Sequence, residues 1–194
     1  SERRLIYRND EIEPRVEFRY QIPAVGHPDR PIFDVLGEVA GDLLSEALGR
    51  AGIPGSVNVN TRVVHTVRFG VPGTINFEVV VSDQGQLDAA EAVLDASIES
   101  LMTALDPDRV ARAQKVLRTE WHRTARDPNA LAFEIGHFQT MDRWQTLQGF
   151  LDARDGATPE DIARIARLYF VPDNRSVGVA RTRTSGRVVS EEGP

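Results

Sequence analysis

Cysteine is absent from this sequence of 194 residues. Without a thiol the chain forms no disulfide, holds no thiolate zinc site and carries no cysteine nucleophile. The absence leaves the compartment open, because reducing and oxidising compartments both contain proteins without cysteine. Any chemistry therefore depends on other side chains.

Basic charge and long apolar runs are also scarce. Asp and Glu outnumber Lys and Arg by 29 to 23, which gives a net charge of −6, and Lys115 is the only lysine. A nucleic-acid binder needs a basic excess to neutralise phosphates, so this balance argues against one. No apolar run approaches the roughly 18–20 residues of a membrane-spanning helix, and we expect no membrane span. No signal peptide opens the chain, but Ser1–Arg4 resembles a start inside a longer protein, so export stays open.

Length and composition predict one domain. With 41% hydrophobic and 27% charged residues, the chain has enough apolar side chains for a sizeable core. Residues 1–13 are charged and weakly patterned, which indicates a linker or a first short strand. Residues 14–182 are predicted to form one α+β domain, and residues 183–194 a disordered tail.

Three segments of the first half alternate apolar and polar side chains, as a strand with one buried face does. They cover residues 14–22, 56–69 and 74–82. The last two flank Pro72-Gly73, which predicts a turn, so we expect them to pair antiparallel as a hairpin. The predicted inward side chains are Val16, Phe18, Tyr20, Ile22, Val57, Val59, Thr61, Val63, His65, Val67, Ile75, Phe77, Val79 and Val81.

A helix is predicted between the first two of these strands. Pro31 suits its first turn, where a missing N–H costs nothing, and the run that contains Gly49, Gly52, Pro54 and Gly55 ends it. Apolar residues at spacings of three and four place one face of the helix on the sheet. They are Phe33, Leu36, Val39, Ala40, Leu43, Leu44, Ala47 and Leu48.

The second half is predicted to be mostly helical. Apolar spacing indicates a helix over residues 86–104, with Leu87, Ala90, Leu94, Ile98, Leu101 and Leu105 on one face. Asp106 followed by Pro107 starts a second helix, which ends near Arg126. A third helix follows an Asp-Pro-Asn interruption. Its apolar residues are Leu131, Ile135, Phe138, Met141 and Leu147.

The end of the chain returns to the sheet. After a loop at Asp152–Gly156, the sequence Thr158–Asp161 predicts a capping box for a last helix, and Val177–Arg181 reads as a final strand. The predicted order is β-α-β-β-α-α-α-α-β. This order indicates an α+β fold, with a single antiparallel-dominated sheet and helices packed on one face.

Residue chemistry alone predicts no catalytic site. Glu134 and His137 lie at i, i+3 on a helix, the spacing of di-iron sites, but such sites need a second pair. Neither H-E-x-x-H nor H-x-x-E-H occurs, and no serine lies in a G-x-S-x-G elbow. His27 is expected to cap the following helix. A free-standing enzyme using Glu134, His137 and a metal is an alternative that metal analysis of the purified chain would test.

Three motifs carry a resemblance to a known family. They are Y-Q-I-P-A-V-G-H-P-D at 20–29 with the helix that follows, L-L-S-E-A-L-G-R-A-G-I-P-G-S-V-N-V at 43–59, and T-P-E-D-I-A-R-I-A-R-L-Y-F-V-P-D-N-R-S-V at 158–177. In this order and spacing they resemble a second-type domain of the pitrilysin/insulinase family of zinc metallopeptidases. The likeness spans roughly residues 3–182 and implies the LuxS/pitrilysin-like domain fold.

The resemblance implies a non-catalytic role. Family members bind zinc at H-x-x-E-H plus a downstream glutamate, and this chain lacks that motif. We therefore expect no cofactor in this chain and zinc in a partner catalytic domain of the same or a paired polypeptide. Paired domains of the family close around unfolded peptides. Exported bacterial relatives suggest the bacterial periplasm, and apolar surface meant for the partner predicts self-association of the isolated chain as a homodimer.

The sequence departs from the family at two positions. In many members a second-type domain contributes an arginine and a tyrosine to the substrate near zinc. Matching that stretch to residues 48–55 puts Gly49 at the arginine and Gly55 at the tyrosine, so both groups are missing. Arg50 is one position off register, about 100° around a helix. The departure fits the second domain of a zinc-bearing half, or a degenerate half.

The resemblance also implies a peptide-binding edge. Family members add a substrate strand to an exposed sheet edge, so Ser56, Asn58 and Asn60 on the polar face of the 56–69 strand are the candidate substrate-binding residues. These side chains are equally explained as ordinary exposed residues. Two further alternatives are a scaffold from a degenerate, non-proteolytic relative and an unrelated α+β binding module. An H-x-x-E-H motif roughly 150–200 residues upstream of Ser1 would favour the peptidase, given the usual domain size.

Overall fold

A five-stranded sheet organises the molecule. The computed structural model describes residues 2–8, 13–62, 72–103 and 105–182. The strands are β1 (Arg3–Arg8), β2 (Arg15–Ile22), β3 (Gly55–Arg62), β4 (Gly73–Val81) and β5 (Arg175–Arg181). They lie in the order β1-β5-β2-β4-β3. Only the β1–β5 pair is parallel, and the other three pairs are antiparallel.

Six α-helices accompany the sheet in the described part of the chain. They are α1 (Arg30–Ala51), α2 (Leu87–Leu101), α3 (Pro107–Arg126), α4 (Pro128–Met141), α5 (Leu147–Asp155) and α6 (Pro159–Tyr169). Helices α1, α2 and α6 contact the strands, and α3, α4 and α5 lie outside them against α1 and each other. Each of these helices is too short or too polar to cross a bilayer.

The core lies between the sheet and helices α1, α2 and α6. On β2, β4 and β5 the alternate apolar side chains are almost completely buried, as the sequence predicts. Phe170, directly after α6, joins the layers, because its ring lies 4.7 Å from Tyr20, 5.3 Å from Phe77 and 6.4 Å from Phe33. The predicted fold class, one antiparallel-dominated sheet with helices on one face, is confirmed.

The opposite face of the sheet is polar. Arg19 donates to Asn76 at 2.8 Å and to Glu17 at 2.8 Å, and Arg15 donates to Glu78 at 3.4 Å. The Arg19–Asn76 and Arg15–Glu78 contacts join β2 to β4 on the face away from the core, and the Arg19–Glu17 contact lies within β2. The clean alternation in the sequence reflects this difference between the two faces.

Several predicted boundaries are wrong. Gly49 lies inside α1, which continues to Ala51 and ends at Gly52, whose φ of 65° is left-handed. Gly73 forms no turn, because β4 begins there and pairs it with Ile22. Helix α2 ends at Leu101, so Leu105 is not on that helix.

The predicted third helix is two helices. Asp142, with φ −153° and ψ −110°, ends α4, and Leu147 begins α5 rather than extending it. Helix α5 also contains Asp152–Asp155, where a loop was expected, and Gly156 follows as its C-cap. The observed order is β-β-α-β-β-α-α-α-α-α-β, with β1 supplied by the segment expected to be a linker or short strand. Predictions for Val63, His65, Val67 and residues 183–194 lie outside the described residues.

Candidate functional site

Strand β3 lies at an edge of the sheet and carries the three predicted substrate-binding residues. In the described part of the chain β3 pairs only with β4, which leaves its other edge open to an added strand. Ser56 and Asn58 are exposed and Asn60 is half-buried. Asn58 faces Glu78 across the ladder, and Asn60 Oδ1 is buried without a hydrogen-bond partner among the described residues. The geometry therefore leaves the three side chains on one outward face, and their substrate role stays a prediction.

The two glycines at the family's arginine and tyrosine positions differ in their surroundings. A Cβ on Gly55 would lie 2.3 Å from the carbonyl oxygen of Val80, because β3 approaches β4 closely there. A Cβ on Gly49 would meet nothing within 4 Å. The backbone of β4 thus leaves no room for a side chain at residue 55 unless the strands move apart. Nothing in the structure would obstruct a side chain at residue 49.

The first and last resemblance motifs meet at one corner. Asp29 Oδ1 accepts from Arg164 Nη2 at 2.8 Å, and its Oδ2 accepts from the Tyr169 hydroxyl at 3.2 Å. Asn174 donates to the backbone oxygens of Gln21 and Tyr169 at 2.9 and 2.7 Å. These bonds tie the start of α1 to α6 and β5, so the two motifs build one structural corner.

The electrostatics of this corner favour a charged carboxylate. The hydrogen bond from Arg164 lowers the pKa of Asp29 below its usual value, against a smaller effect of burial. Burial and the neighbouring Asp29 carboxylate raise the pKa of Tyr169. The Asp29 backbone N–H also donates to His27 Nδ1 at 3.1 Å, in the turn where a capping histidine was expected. His27, Arg164 and Tyr169 each form a hydrogen bond with Asp29, which indicates a structural role for this residue.

The described residues do not fit a zinc site. They contain no group of three or more His, Cys, Asp or Glu side chains able to hold a metal ion. Glu134 and His137 both lie on α4, and the ring of His137 stacks on Phe133 at 6.0 Å with an interplanar angle of 9°. Structural zinc needs about four protein ligands and catalytic zinc about three, so this pair alone does not provide a site.

A cavity of about 520 Å³ lies among α1, α3, α4 and α5. Glu134 and His137 line it, together with aromatic and aliphatic side chains of the outer helices. Two arginines, Arg30 on α1 and Arg154 on α5, also line it and are buried. No motif in the sequence indicates this site, because its walls come from four separate helices. The feature that marks the site is the burial of these two arginines, and their spacing in the sequence does not predict it.

Solved structures with the same fold include peptidase domains of zinc proteases. The inactive peptidase domain of a proposed zinc protease from Bordetella parapertussis has a TM-score of 0.77 and 25% identity, and the match covers 89% of this chain and 92% of that one. A proposed zinc protease from Bordetella pertussis has a TM-score of 0.74 and 25% identity, covering 86% and 92%. A Helicobacter pylori protease has a TM-score of 0.81 at 14% identity, covering 92% and 43%.

The coverage separates two kinds of match. This chain corresponds to nearly all of each Bordetella chain but to less than half of the Helicobacter protein. No protein-family model matches the sequence, and a search of curated proteins finds no match. The chain therefore has the fold of a peptidase domain of the zinc-protease type, and the activity of any larger protein is a matter for proposal.

Proposed function

We propose that this chain is a non-catalytic domain of a pitrilysin/insulinase-type zinc metallopeptidase. In this role it forms part of the peptide-binding chamber and contacts a separate, zinc-bearing catalytic domain. The observation that carries the proposal is the match to the Bordetella parapertussis inactive peptidase domain over 92% of that domain. The sequence supports it as well, because H-x-x-E-H is absent.

Strand β3 is the proposed contact with substrate. An unfolded peptide would add to its free edge through backbone hydrogen bonds, which read no particular sequence. Ser56, Asn58 and Asn60 would then contact the peptide from the outward face. The Oδ1 of Asn60, which has no partner among the described residues, supports this assignment, because a buried acceptor without a donor is expected to be satisfied in the functional assembly.

Exposed apolar side chains supply candidate surfaces for the partner domain. Leu5 and Ile6 on the edge strand β1 are exposed, and so are Phe133 on α4 and Trp144 between α4 and α5. Side chains of this size in water favour burial against another protein. For the isolated chain we propose that the same surfaces drive homodimer formation, which sedimentation at increasing concentration would detect.

The full-length parent protein provides the test. Cleavage of a quenched, unstructured peptide is measured with and without a chelator, for the parent and for a version lacking residues 1–194. We expect cleavage that the chelator abolishes and that the deletion removes. A parent that is free of zinc and inert towards peptides would contradict the proposal and favour a scaffold or binding module.

A smaller change tests the β3 contact with substrate while keeping the domain in place. Combined replacement of Ser56, Asn58 and Asn60 by alanine should raise KM about tenfold with little change in kcat, since each lost hydrogen bond costs roughly 0.5–1.5 kcal/mol. Ser176→Ala, on the inner strand β5, is the matched control and should leave KM unchanged. An equal KM for the triple variant and the parent would remove β3 from the substrate path.

A further inference from the structure

The cavity between the outer helices has the size and lining of a ligand site. Its volume of about 520 Å³ falls within the range typical of small-molecule pockets, roughly 300–1,000 Å³. Trp121, Phe138 and Phe150 provide aromatic walls from three different helices. Such walls favour a ligand with an apolar body.

Two buried guanidinium groups make the cavity unusual. Arg30 is 5% exposed and Arg154 is 6% exposed, although arginine is rarely buried without full pairing. Arg30 Nη1 donates to Asp34 Oδ1 at 2.8 Å, while its Nε has no hydrogen-bond partner among the described residues. Arg154 directs Nε and Nη2 to the same oxygen of Asp155, at 3.2 and 3.1 Å.

One buried donor at the cavity, Arg30 Nε, therefore has no acceptor in the described part of the chain. Each guanidinium carries five N–H groups, and among the described residues each arginine donates to one carboxylate oxygen, Asp34 Oδ1 for Arg30 and Asp155 Oδ1 for Arg154. A buried charged donor that stays unpaired is costly, so these groups favour an incoming acceptor. A carboxylate fits the planar fork of a guanidinium through two parallel hydrogen bonds.

We propose that this cavity binds the free C-terminal carboxylate of a peptide that ends in an apolar side chain. The arginines hold the carboxylate, and the aromatic walls enclose the last side chain. The inference concerns this chain alone and does not depend on a catalytic partner or on the role proposed for β3.

Acidic side chains at the cavity decide between ligand classes. Asp34, Glu120 and Glu134 also line it, and their carboxylates repel a dianionic phosphate more strongly than a singly charged carboxylate. A cation held by these glutamates against Trp121 is the competing ligand class. Glu120 is exposed and Glu134 half-buried, so both can reach water, whereas Arg30 Nε is buried without an acceptor among the described residues. The group that needs a partner is therefore a cationic donor, which favours an anionic ligand.

Calorimetry on the whole chain tests the proposal without any mutation. The probes are acetyl-alanyl-phenylalanine with a free carboxylate, the same dipeptide as its C-terminal amide, and phenethylamine as the cation. We expect the acid to bind and the amide to bind at least about tenfold more weakly, as the loss of a charge-assisted hydrogen bond implies. Equal affinity for acid and amide, preference for phenethylamine, or no binding by any probe would each overturn it.

Variants then assign the contact. Arg154→Gln should weaken binding of the acid about tenfold or more and bring it close to that of the amide. Arg126→Gln, on the exposed surface of α3 and away from the cavity, is the matched control and should change neither value. Glu134→Gln should leave binding of the acid unchanged or tighter, whereas weaker binding would contradict the proposal. Arg30→Gln, checked for folding by circular dichroism, gives a second measurement should Arg154→Gln fail to fold.

Discussion

The sheet core and the outer helical layer of this molecule are built differently. The sheet core comprises β2, β4 and β5 with α1, α2 and α6, and its inward side chains are almost completely buried. The outer layer comprises α3, α4 and α5, and α4 buries only Phe138 among its described side chains. In α3, only Val110 and Ala113 are buried. One region is filled by its own side chains, and the other is not.

This difference separates stability from binding. Well-packed apolar side chains supply most of the free energy of folding, so the sheet core sets the stability of the chain. The outer layer leaves Phe133 70% exposed and encloses the cavity with its two buried arginines. Surfaces left open in this way are where ligands and partner domains bind. The comparison predicts unequal responses to equivalent mutations in the two regions.

Truncation of one aromatic ring in each region gives the largest contrast. Phe77→Ala, at a ring that is 0% exposed and contacts Tyr20 and Phe170, should lower the free energy of unfolding by about 3–5 kcal/mol. Phe133→Ala in α4 should change it by no more than about 0.5 kcal/mol. Chemical denaturation monitored by circular dichroism measures both values. A loss for Phe133→Ala as large as that for Phe77→Ala would show that the outer layer belongs to the core.

The same contrast explains which elements could be predicted from the sequence. The strands of the core follow from alternation, because one buried face forces a period of two. The start of α6 was also predictable, since Thr158 and Asp161 cap each other within four residues. Local chemistry of this kind needs no knowledge of the rest of the chain.

Features that depend on distant parts of the chain could not be predicted. Leu147 continues the spacing of the preceding helix, yet α4 ends at Met141 without a glycine or proline to mark the break. The parallel pairing of β1 with β5 joins segments more than 160 residues apart in sequence, such as Arg3 and Ser176. Burial of an arginine likewise depends on helices brought together only by folding.

Glycine replacement compares the edge strand β3 with the outer layer at the backbone. Gly55→Ala should destabilise the chain by about 1–3 kcal/mol, because the new Cβ would lie 2.3 Å from the Val80 carbonyl oxygen and strands β3 and β4 would have to separate. Gly136→Ala in α4 should instead stabilise it by about 0.5–1 kcal/mol, since nothing lies within 4 Å and alanine is the better helix former. Thermal unfolding of both variants measures the signs. A neutral Gly55→Ala would mean that the strands yield there at little cost.

Two carboxylates, Asp29 and Glu38, should change the stability of the fold with pH in opposite directions. The pKa of Asp29 is lowered by its hydrogen bond from Arg164, so this carboxylate stabilises the fold above its unfolded pKa of about 4. That contribution is lost as the pH falls through the lower pKa of the folded state. Asp29→Asn should cost about 1–2 kcal/mol at pH 7, and the cost should shrink in acid.

Glu38, on the side of α1 near α3, should behave in the opposite way. Burial raises its pKa first, and the carboxylates of Glu120, Asp42 and Asp34 raise it further. Because the folded pKa lies above the unfolded one, the charged form destabilises the fold at neutral pH, and protonation relieves this as the pH falls through the raised value. Glu38→Gln should therefore stabilise the chain by about 0.5 kcal/mol at pH 7, the scale of like-charge pairs on a helix, and by less near pH 4. Denaturant unfolding at several pH values compares the Asp29→Asn and Glu38→Gln variants with the parent. A Glu38→Gln chain that is less stable than the parent at pH 7 would show that a partner stabilises the Glu38 carboxylate and that its acidic neighbours do not dominate.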